Sequence, residues 1–182
     1  MPIKKYVGRF APTPSGPLHF GSLVTAVASY LDARSNNGAW HVRIDDLDSP
    51  RVVIGAERRI LTTLEKHGLE WDGPIVRQSS HRDLYETALE NLENQGLLYT
   101  CYCSRKELIG KIRYPGTCRN STRPNDVHSS LRFRVPDQPY QFNDLVQGLY
   151  IENLSCTIGD FIVSRRDGIP SYQFAVVVDD DK

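Results

Sequence analysis

Residues 9–23, RFAPTPSGPLHFGSL, begin like a strand, end like a helix and place His19 between the two. In a parallel α/β sheet, ligands bind beyond the carboxyl ends of the strands, and the N–H groups at a helix N-terminus attract anions. Gly16 lets the backbone approach a ligand closely, and Gly21 leaves room for a flat ring. His19 could then donate to a phosphate oxygen. This pattern predicts an anion site; the alternative is a tight proline and glycine turn with an incidental histidine.

The first half of the chain alternates between strand-like and helical patterns. Strands are predicted within 5–12, 39–48 and 97–103, and helices within 22–38, 55–69 and 79–96. Apolar residues recur at helical spacing in the latter, and glycines at their ends act as stops. The order strand–helix–strand–helix predicts an α/β fold with a Rossmann-like parallel sheet.

The second half has a different texture. A loop-rich stretch follows residue 104, and strands are then predicted within 130–136, 142–153 and 160–180. Asp167-Gly168 predicts a turn between two strand arms of the last segment. We therefore expect three parts. Residues 1–98 form the first half of the α/β domain, residues 99–158 form an inserted subdomain, and residues 159–182 form the return strand or strands of the α/β domain.

Composition limits the function further. The 182 residues suit one domain, or one domain with an insertion, and 22 Lys and Arg balance 22 Asp and Glu. A protein that coats nucleic acid is usually basic overall, so any nucleic-acid contact must be a local patch. No apolar run is long enough to span a membrane, and the first ten residues lack a signal-peptide core. These patterns predict a soluble, cytoplasmic protein.

The cysteines are spaced for a metal. Cys101 and Cys103 lie two apart, and Cys118 follows fifteen residues after Cys103. Three thiolates in a reduced compartment predict zinc, which takes four ligands. No histidine lies inside the cluster, and His128 is ten residues beyond it. The alternative is a set of buried structural cysteines; Cys156 lies apart and is predicted to be a core thiol.

A local excess of positive charge accompanies the cysteines. Its members, opposed only by Glu107, are Arg105, Lys106, Lys111, Arg113, Arg119 and Arg123. Such a patch could meet a nucleic-acid backbone; the alternative is a solvated, mobile loop.

The opening stretch resembles the first signature of class I aminoacyl-tRNA synthetases, in which a His-x-Gly-x sequence binds ATP, and HFGS (19–22) stands at that position. The preceding RFAPTPSG is similar to the glutamyl/glutaminyl branch. Further segments, 42–51, 68–108 and 160–180, resemble the same branch, with Asp45 where Glu is usual. Within it, GPLHFGSL, SYLDAR and the cysteine pattern resemble the glutamyl-Q family. The resemblance implies the catalytic domain of a class I synthetase with an inserted, zinc-bearing subdomain that resembles an acceptor-binding domain.

The resemblance also implies roles for particular residues. Catalytic roles fall on His19, Gly21 and Ser22. ATP, with Mg²⁺, is expected at Pro12, His19, Phe20, Gly21 and Ser22. L-glutamate is expected at Arg9, Phe10, Ala11, Pro12, Thr13, Asp45 and Tyr172. One structural zinc is expected on Cys101, Cys103, Tyr114 and Cys118.

Three of these assignments have alternatives. Arg9, which can clamp a carboxylate bidentately, could instead pair with Asp46 or Asp48. Tyr172 could be a half-buried strand aromatic. Asp45 is one methylene shorter than the usual Glu, and it could reach the ammonium group of its ligand through a water.

The function implied is that of a ligase that activates L-glutamate with ATP and attaches it to the queuosine base of tRNA(Asp). No lysine-rich KMSKS-like signature is found, and the family's chains continue beyond the point where this one stops, so we expect a C-terminally truncated chain with an incomplete sheet. A monomer is expected, or a chain that needs a partner if it is truncated. The alternatives are the N-terminal part of a glutamyl-tRNA synthetase that charges tRNA(Glu), and a non-catalytic zinc-binding remnant.

Overall fold

The computed structural model describes residues 6–121 and 129–181, which contain eight strands and five α-helices. The strands are β1 (Val7–Phe10), β2 (Ala39–Ile44), β3 (Val76–Arg77), β4 (Leu98–Cys101), β5 (Ser130–Phe133), β6 (Tyr140–Asp144), β7 (Gly148–Glu152) and β8 (Ile162–Ser164). The helices are α1 (Phe20–Ser35), α2 (Ala56–Lys66), α3 (Arg82–Asn94), α4 (Leu154–Thr157) and α5 (Tyr172–Asp180). Within the described ranges, no helix has the length and apolar character needed to cross a bilayer.

The chain divides into two compact units, Met1–Arg82 and Asp83–Lys182. The first contains the predicted parallel sheet, in the order β1-β2-β3. Its core is formed by the central strand, through Trp40, Val42 and Ile44, and by residues of α1 and α2. At Gly8 a Cβ atom would lie 3.0 Å from the Cβ of Ala33, so the glycine permits α1 to pack closely on β1. The α/β fold with a parallel sheet is confirmed.

The helix ends follow the predicted signals. Helix α1 ends at Ser35, and Asn37 after it adopts a positive φ of 50°. Helix α2 ends at Lys66, and Gly68 follows with a φ of 69°. The stop signals therefore mark where each helix meets the next loop, and so where the next strand can begin.

The second unit contains an antiparallel sheet, in the order β4-β5-β8, and the separate hairpin β6-β7. The buried carboxylate of Asp160 ties the sheet to its loops. It accepts hydrogen bonds from the hydroxyl of Tyr99 at 2.7 Å and from the backbone N–H of Val135 at 2.9 Å, and it pairs with Arg119.

One prediction for the last segment is wrong. The turn at Asp167-Gly168 is present, with Gly168 at a φ of 76°, but the second strand arm predicted after it is the helix α5. The valine run 176–178 favours a strand by propensity. In the structure, Phe174 and Ala175 are buried along one helical face instead, so packing outweighs local preference. The predicted part boundaries at 98 and 158 stay predictions.

Candidate functional site

A cavity of about 320 Å³ opens beyond the carboxyl end of β1. The residues lining it are Phe10, Ala11, Pro12, Thr13, Ser15, Gly16, Pro17, Leu18, His19, Ser22 and Thr25. This wall contains predicted glutamate contacts, 10–13, together with His19 and Ser22 from the predicted ATP site. The first turn of α1 faces the same space, as expected for ligands at the end of a parallel strand.

His19 caps α1. Its Nδ1 accepts the backbone N–H of Ser22 at 3.1 Å, and its Nε2 lies 3.0 Å from the Ser22 hydroxyl oxygen. An Nδ1 that accepts carries no proton, so a ring proton on Nε2 would lie beside the Ser22 hydroxyl. Such an imidazole proton would point at Ser22, whose own hydroxyl proton can turn toward the cavity. The contact between His19 and Ser22 was not predicted from the sequence, and donation by His19 to a phosphate oxygen stays a prediction.

Gly21 and Phe20 lie beside this pair. A Cβ atom at Gly21 would lie 3.3 Å from the His19 ring, tighter than ordinary contact, so the missing side chain gives the imidazole its space. Phe20 begins the helix two residues before the predicted segment 22–38, and its side chain is 83% exposed. Neither residue lines the cavity itself.

The loop after β1 is tied to the loop after β2. The N–H of Asp45 donates to the carbonyl of Pro12 at 3.1 Å, and the N–H of Val53 donates to that of Pro14 at 2.9 Å. The two loops therefore hold each other in place at the edge of the cavity.

Asp45 itself is buried and forms an ion pair, in which the Nε of Arg43 donates to its Oδ1 at 2.8 Å. Sequence reasoning missed Arg43, although residues two apart on a strand share a face. The predicted contact of Asp45 with an ammonium group stays a prediction.

Arg9 is exposed on β1. Of the two carboxylates suggested as its alternatives, Asp46 accepts the backbone N–H of Ser79 at 2.8 Å, and Asp48 pairs with Arg51 at 3.2 Å. The predicted carboxylate clamp by Arg9 stays a prediction.

Tyr172 belongs to the second unit. It is the first residue of α5 rather than part of a strand, and its side chain is 65% exposed. The reading of Tyr172 as a half-buried strand aromatic is therefore wrong. Its predicted role as a glutamate contact is untested by this placement.

The cysteine cluster forms a compact group in the second unit. Cys101 ends β4, and the sulfur atoms of Cys101, Cys103 and Cys118 all lie within 4.8 Å of one another. The Oη of Tyr114 lies 3.4 Å from the Cys101 sulfur and 3.6 Å from the Cys103 sulfur. It also accepts the backbone N–H of Cys118 at 2.9 Å. The predicted fourth ligand thus stands among the three thiols; His128 lies outside the described residues.

These spacings suit a tetrahedral metal. Zinc–sulfur bonds of about 2.3 Å place two ligand sulfurs about 3.8 Å apart at tetrahedral angles. The Cys103 and Cys118 sulfurs are 3.6 Å apart, and the tyrosine oxygen is at similar range from two of the sulfurs. The donor set therefore fits a thiophilic metal ion, and the cluster could hold one.

The thiols of the cluster differ in pKa. Burial opposes ionisation of Cys101, but hydrogen bonds, foremost from Tyr114 and then from Arg132, outweigh it and lower the pKa of the thiol to about 7. Burial raises the pKa of the Cys103 thiol to about 11, and it also raises the pKa of the Tyr114 hydroxyl. Neighbouring thiols resist joint ionisation, so a cation among them would favour the fully ionised set.

The basic stretch is only partly a free surface. Arg119 forms an ion pair with the buried Asp160, and Arg113 donates to the carbonyl of Ser155 at 2.9 Å. Arg105, Lys106 and Lys111 are exposed, while Arg123 lies outside the described residues. The opposing Glu107 accepts the N–H of Ser104 at 2.6 Å.

The prediction that Cys156 is a core thiol is wrong. It lies in α4 and is exposed, so it is not a core thiol.

Residues 5–182 match the family described as tRNA synthetases class I (E and Q), catalytic domain. The chain belongs to this class I synthetase family. The match to the synthetase family covers both units, and so both the cavity after β1 and the cysteine cluster lie within the matched catalytic domain.

Individual synthetases of the family are similar over nearly the whole chain. A glutamyl-Q tRNA(Asp) synthetase of Ectopseudomonas mendocina (strain ymp) is 54% identical over 176 residues, 96% of this chain and 60% of that protein. One from Pseudomonas putida (strain GB-1) is 52% identical over 181 residues, 99% of this chain and 61% of that protein. The chain thus spans about 60% of the length of these curated relatives.

A solved structure agrees on the fold. The crystal structure of a glutamate tRNA ligase from Elizabethkingia meningosepticum CCUG26117, in complex with its amino acid, matches with a TM-score of 0.84 and 30% identity. The match covers 98% of this chain and 42% of that one. The expected catalytic-domain fold of a class I synthetase is confirmed.

Proposed function

We propose that this chain forms the substrate-activating part of a glutamyl-Q tRNA(Asp) synthetase, which activates L-glutamate with ATP and transfers it to the queuosine base of tRNA(Asp). The observation that carries the proposal is the His19–Ser22 pair at the N-terminus of α1, beside the cavity after β1. The names of relatives that are 52% and 54% identical support the choice of amino acid and tRNA.

The first step joins two anions, so it needs donors around the phosphates. A carboxylate oxygen of glutamate attacks the α-phosphorus of ATP, the bond to the β-phosphate oxygen breaks, and pyrophosphate leaves. The N–H groups at the start of α1 that have no partner within the helix, together with the Ser22 hydroxyl, would donate to phosphate oxygens. Gly21 leaves the approach to the His19 ring open.

Glutamate carries carboxylates and an ammonium group, so its site needs a cation for the former and an anion for the latter. We assign it to Arg9, to residues 10–13 that line the cavity and to Asp45. An arginine recognises a carboxylate bidentately, and a carboxylate accepts from an ammonium group. Arg43 holds the Asp45 carboxylate through its Oδ1, which orients the acceptor.

The metal of this proposal is zinc. Cys101, Cys103, Tyr114 and Cys118 would hold it and leave no position for substrate, so it would supply stability rather than chemistry. Loss of the metal would then affect function through unfolding of the second unit.

A second candidate is the activating part of a glutamyl-tRNA synthetase that charges tRNA(Glu). The structural match to a glutamate tRNA ligase favours it, at 30% identity. The curated relatives with 52% and 54% identity favour the glutamyl-Q function.

The deciding experiment is glutamate-dependent ATP–pyrophosphate exchange by the purified chain, first without tRNA and then with tRNA(Asp) or tRNA(Glu). We expect saturable ATP binding and exchange without tRNA. Exchange that appears only with tRNA(Glu) would favour the second candidate. A folded, zinc-loaded protein that exchanges under none of these conditions, even if it binds ATP, would refute both and leave a non-catalytic remnant.

The role of His19 is separated from its capping role by two variants. His19→Ala removes cap and imidazole, whereas His19→Asn keeps a good cap and removes only the imidazole. We expect both to lose exchange and to keep their zinc. His67→Ala, at an exposed histidine after α2, is the matched control and should exchange normally.

A further inference from the structure

Arg132 is a buried cation beside the cysteine cluster. It lies on β5 and is only 6% exposed. Its Nη1 donates to the main-chain carbonyl of Asp160 at 2.6 Å. Its guanidinium carbon lies 3.7 Å from the centroid of the Tyr114 ring.

The strand register directs this side chain toward the cysteines. Tyr99 pairs with Arg132, and Cys101 pairs with Ser130, across the antiparallel ladder β4-β5. Directly opposed residues, and residues two apart on one strand, share a face of the sheet. Arg132 and Cys101 are therefore diagonal neighbours on one face, within reach of a long side chain.

The charge of Arg132 has no carboxylate partner within residues 6–121 and 129–181. The nearby carboxylate of Asp160 is occupied by Arg119, by the Tyr99 hydroxyl and by the N–H of Val135. Burying a cation is unfavourable unless an anion compensates it. Among the residues that the structure describes, the remaining source of negative charge beside it is the cluster of three thiols and Tyr114.

We propose that Arg132 is a positioning residue of the metal centre, which offsets the negative charge of the ligands and holds the Tyr114 ring with its oxygen toward the sulfur atoms. The inference rests on the zinc site proposed above.

The charge balance of the centre supports this role. Three thiolates and a phenolate around a divalent ion leave a net charge of about −2 in a largely buried place. A guanidinium stacked on the phenol ring halves that charge without taking a ligand position. Groups that touch ligands rather than the metal commonly change metal affinity by about 10–100-fold when removed.

The test compares the zinc affinity of the full chain with that of Arg132→Met and Arg132→Lys, by competition with a chelator. Arg134→Met is the matched control, since Arg134 also stacks on a tyrosine, with its guanidinium carbon 4.8 Å from the Tyr99 ring centroid. We expect about 10–100-fold weaker zinc binding for Arg132→Met and a smaller loss for Arg132→Lys. Arg134→Met should stay within about threefold of wild type.

Cobalt provides a readout that a merely structural residue would not move. At full Co²⁺ loading, the thiolate-to-cobalt charge-transfer bands depend on the charge beside the sulfurs. They should shift in Arg132→Met, stay near wild type in Arg132→Lys and not move in Arg134→Met.

Each contrary outcome points to a different error. Wild-type zinc affinity and an unshifted spectrum in folded Arg132→Met would overturn this inference alone and leave the zinc site intact. Equal losses in Arg132→Met and Arg134→Met would indicate general destabilisation and also overturn it. A wild-type chain that binds no zinc would overturn the inference and the zinc site together. If Arg132→Met does not fold, Arg132→Gln, which removes the charge but keeps a donor for the Asp160 carbonyl, is compared with Arg134→Gln by the same two measurements, and the same outcomes apply.

Discussion

His19 and Ser22 stand at the accessible N-terminus of α1, whereas Cys101 and Cys118 are almost wholly buried at the end of β4 and in the loop that follows. Backbone groups and small residues form much of the first site, beside an open cavity. Thiol side chains from residues 101–118 form the second, with their sulfur atoms within 4.8 Å of one another. The difference matches the roles proposed: substrates must enter and leave the first, while the metal of the second stays in place.

The strongest way to break this contrast is to remove one ligand of the buried site. Cys103→Ser should abolish zinc binding, expected at about one ion per chain, and destabilise the second unit, because a structural metal contributes its binding energy to folding. Elemental analysis and thermal unfolding measure both. Cys156→Ser is the control and should change neither, since this cysteine is exposed. A metal-free yet fully folded wild-type chain would contradict the metal site.

The next largest effect is the difference in stability between a variant that loses a buried carboxylate and one that loses a more accessible carboxylate. Asp160→Asn weakens the hydrogen bonds from Tyr99 and Val135 and leaves the part-exposed Arg119 without its anion, so it should lower the free energy of unfolding by about 2–3 kcal/mol. Asp46→Asn, which weakens the hydrogen bonds that Ser79 donates to this carboxylate, should cost only about 1 kcal/mol. Urea unfolding measures the two values. Equal losses of unfolding free energy would mean that the burial of a carboxylate does not determine how much it stabilises its unit.

A smaller effect on stability is expected at the accessible site. His19→Ala removes the cap of α1 and should cost about 1 kcal/mol, whereas His19→Asn should recover most of that loss. Urea unfolding provides the measurement. A cost in His19→Asn as large as in His19→Ala would show that the ring, rather than the cap, stabilises this turn.

The smallest change in stability is expected for Gly21→Ala. Alanine favours a helix over glycine by up to about 1 kcal/mol, so stability should stay level or rise slightly. The new Cβ atom would meet the His19 ring at 3.3 Å and displace it, so ATP binding should weaken. Calorimetric titration with ATP measures the expected loss of affinity, and thermal unfolding measures the expected level or slightly higher stability. Unchanged affinity would mean that the position of the ring does not matter for ATP.

The sequence predicts the first unit better than the second because its signals are local. Helical spacing and glycine or asparagine stops place α1 and α2 between parallel strands, and the structure agrees. In the last segment, the valine run 176–178 favours a strand, but burial of Phe174 and Ala175 produces a helix. Local propensity does not register contacts with residues distant in the chain, such as the hydrogen bond from the Tyr85 hydroxyl to Asp179 of α5 at 2.9 Å.

The same limit applies to the sites. Cysteine spacing predicts a metal, and the family resemblance adds Tyr114, which the structure places among the thiols. Neither source indicates Arg132, because its nearness to Cys101 follows from the pairing of β4 with β5. The pairing of Arg43 with Asp45 could have been predicted from the sequence, since alternation along a strand places the two residues on the same face.

The loop of residues 11–18 has a consequence for the thermodynamics of binding. Pro12, Pro14 and Pro17 fix three of its φ angles, and two hydrogen bonds, from Asp45 and Val53, anchor it before any ligand arrives. Ordering a free backbone residue costs about 1–2 kcal/mol in conformational entropy. A ligand that enters the cavity meets a loop whose disorder was already lost when the chain folded, so little of its interaction energy is consumed in shaping the site.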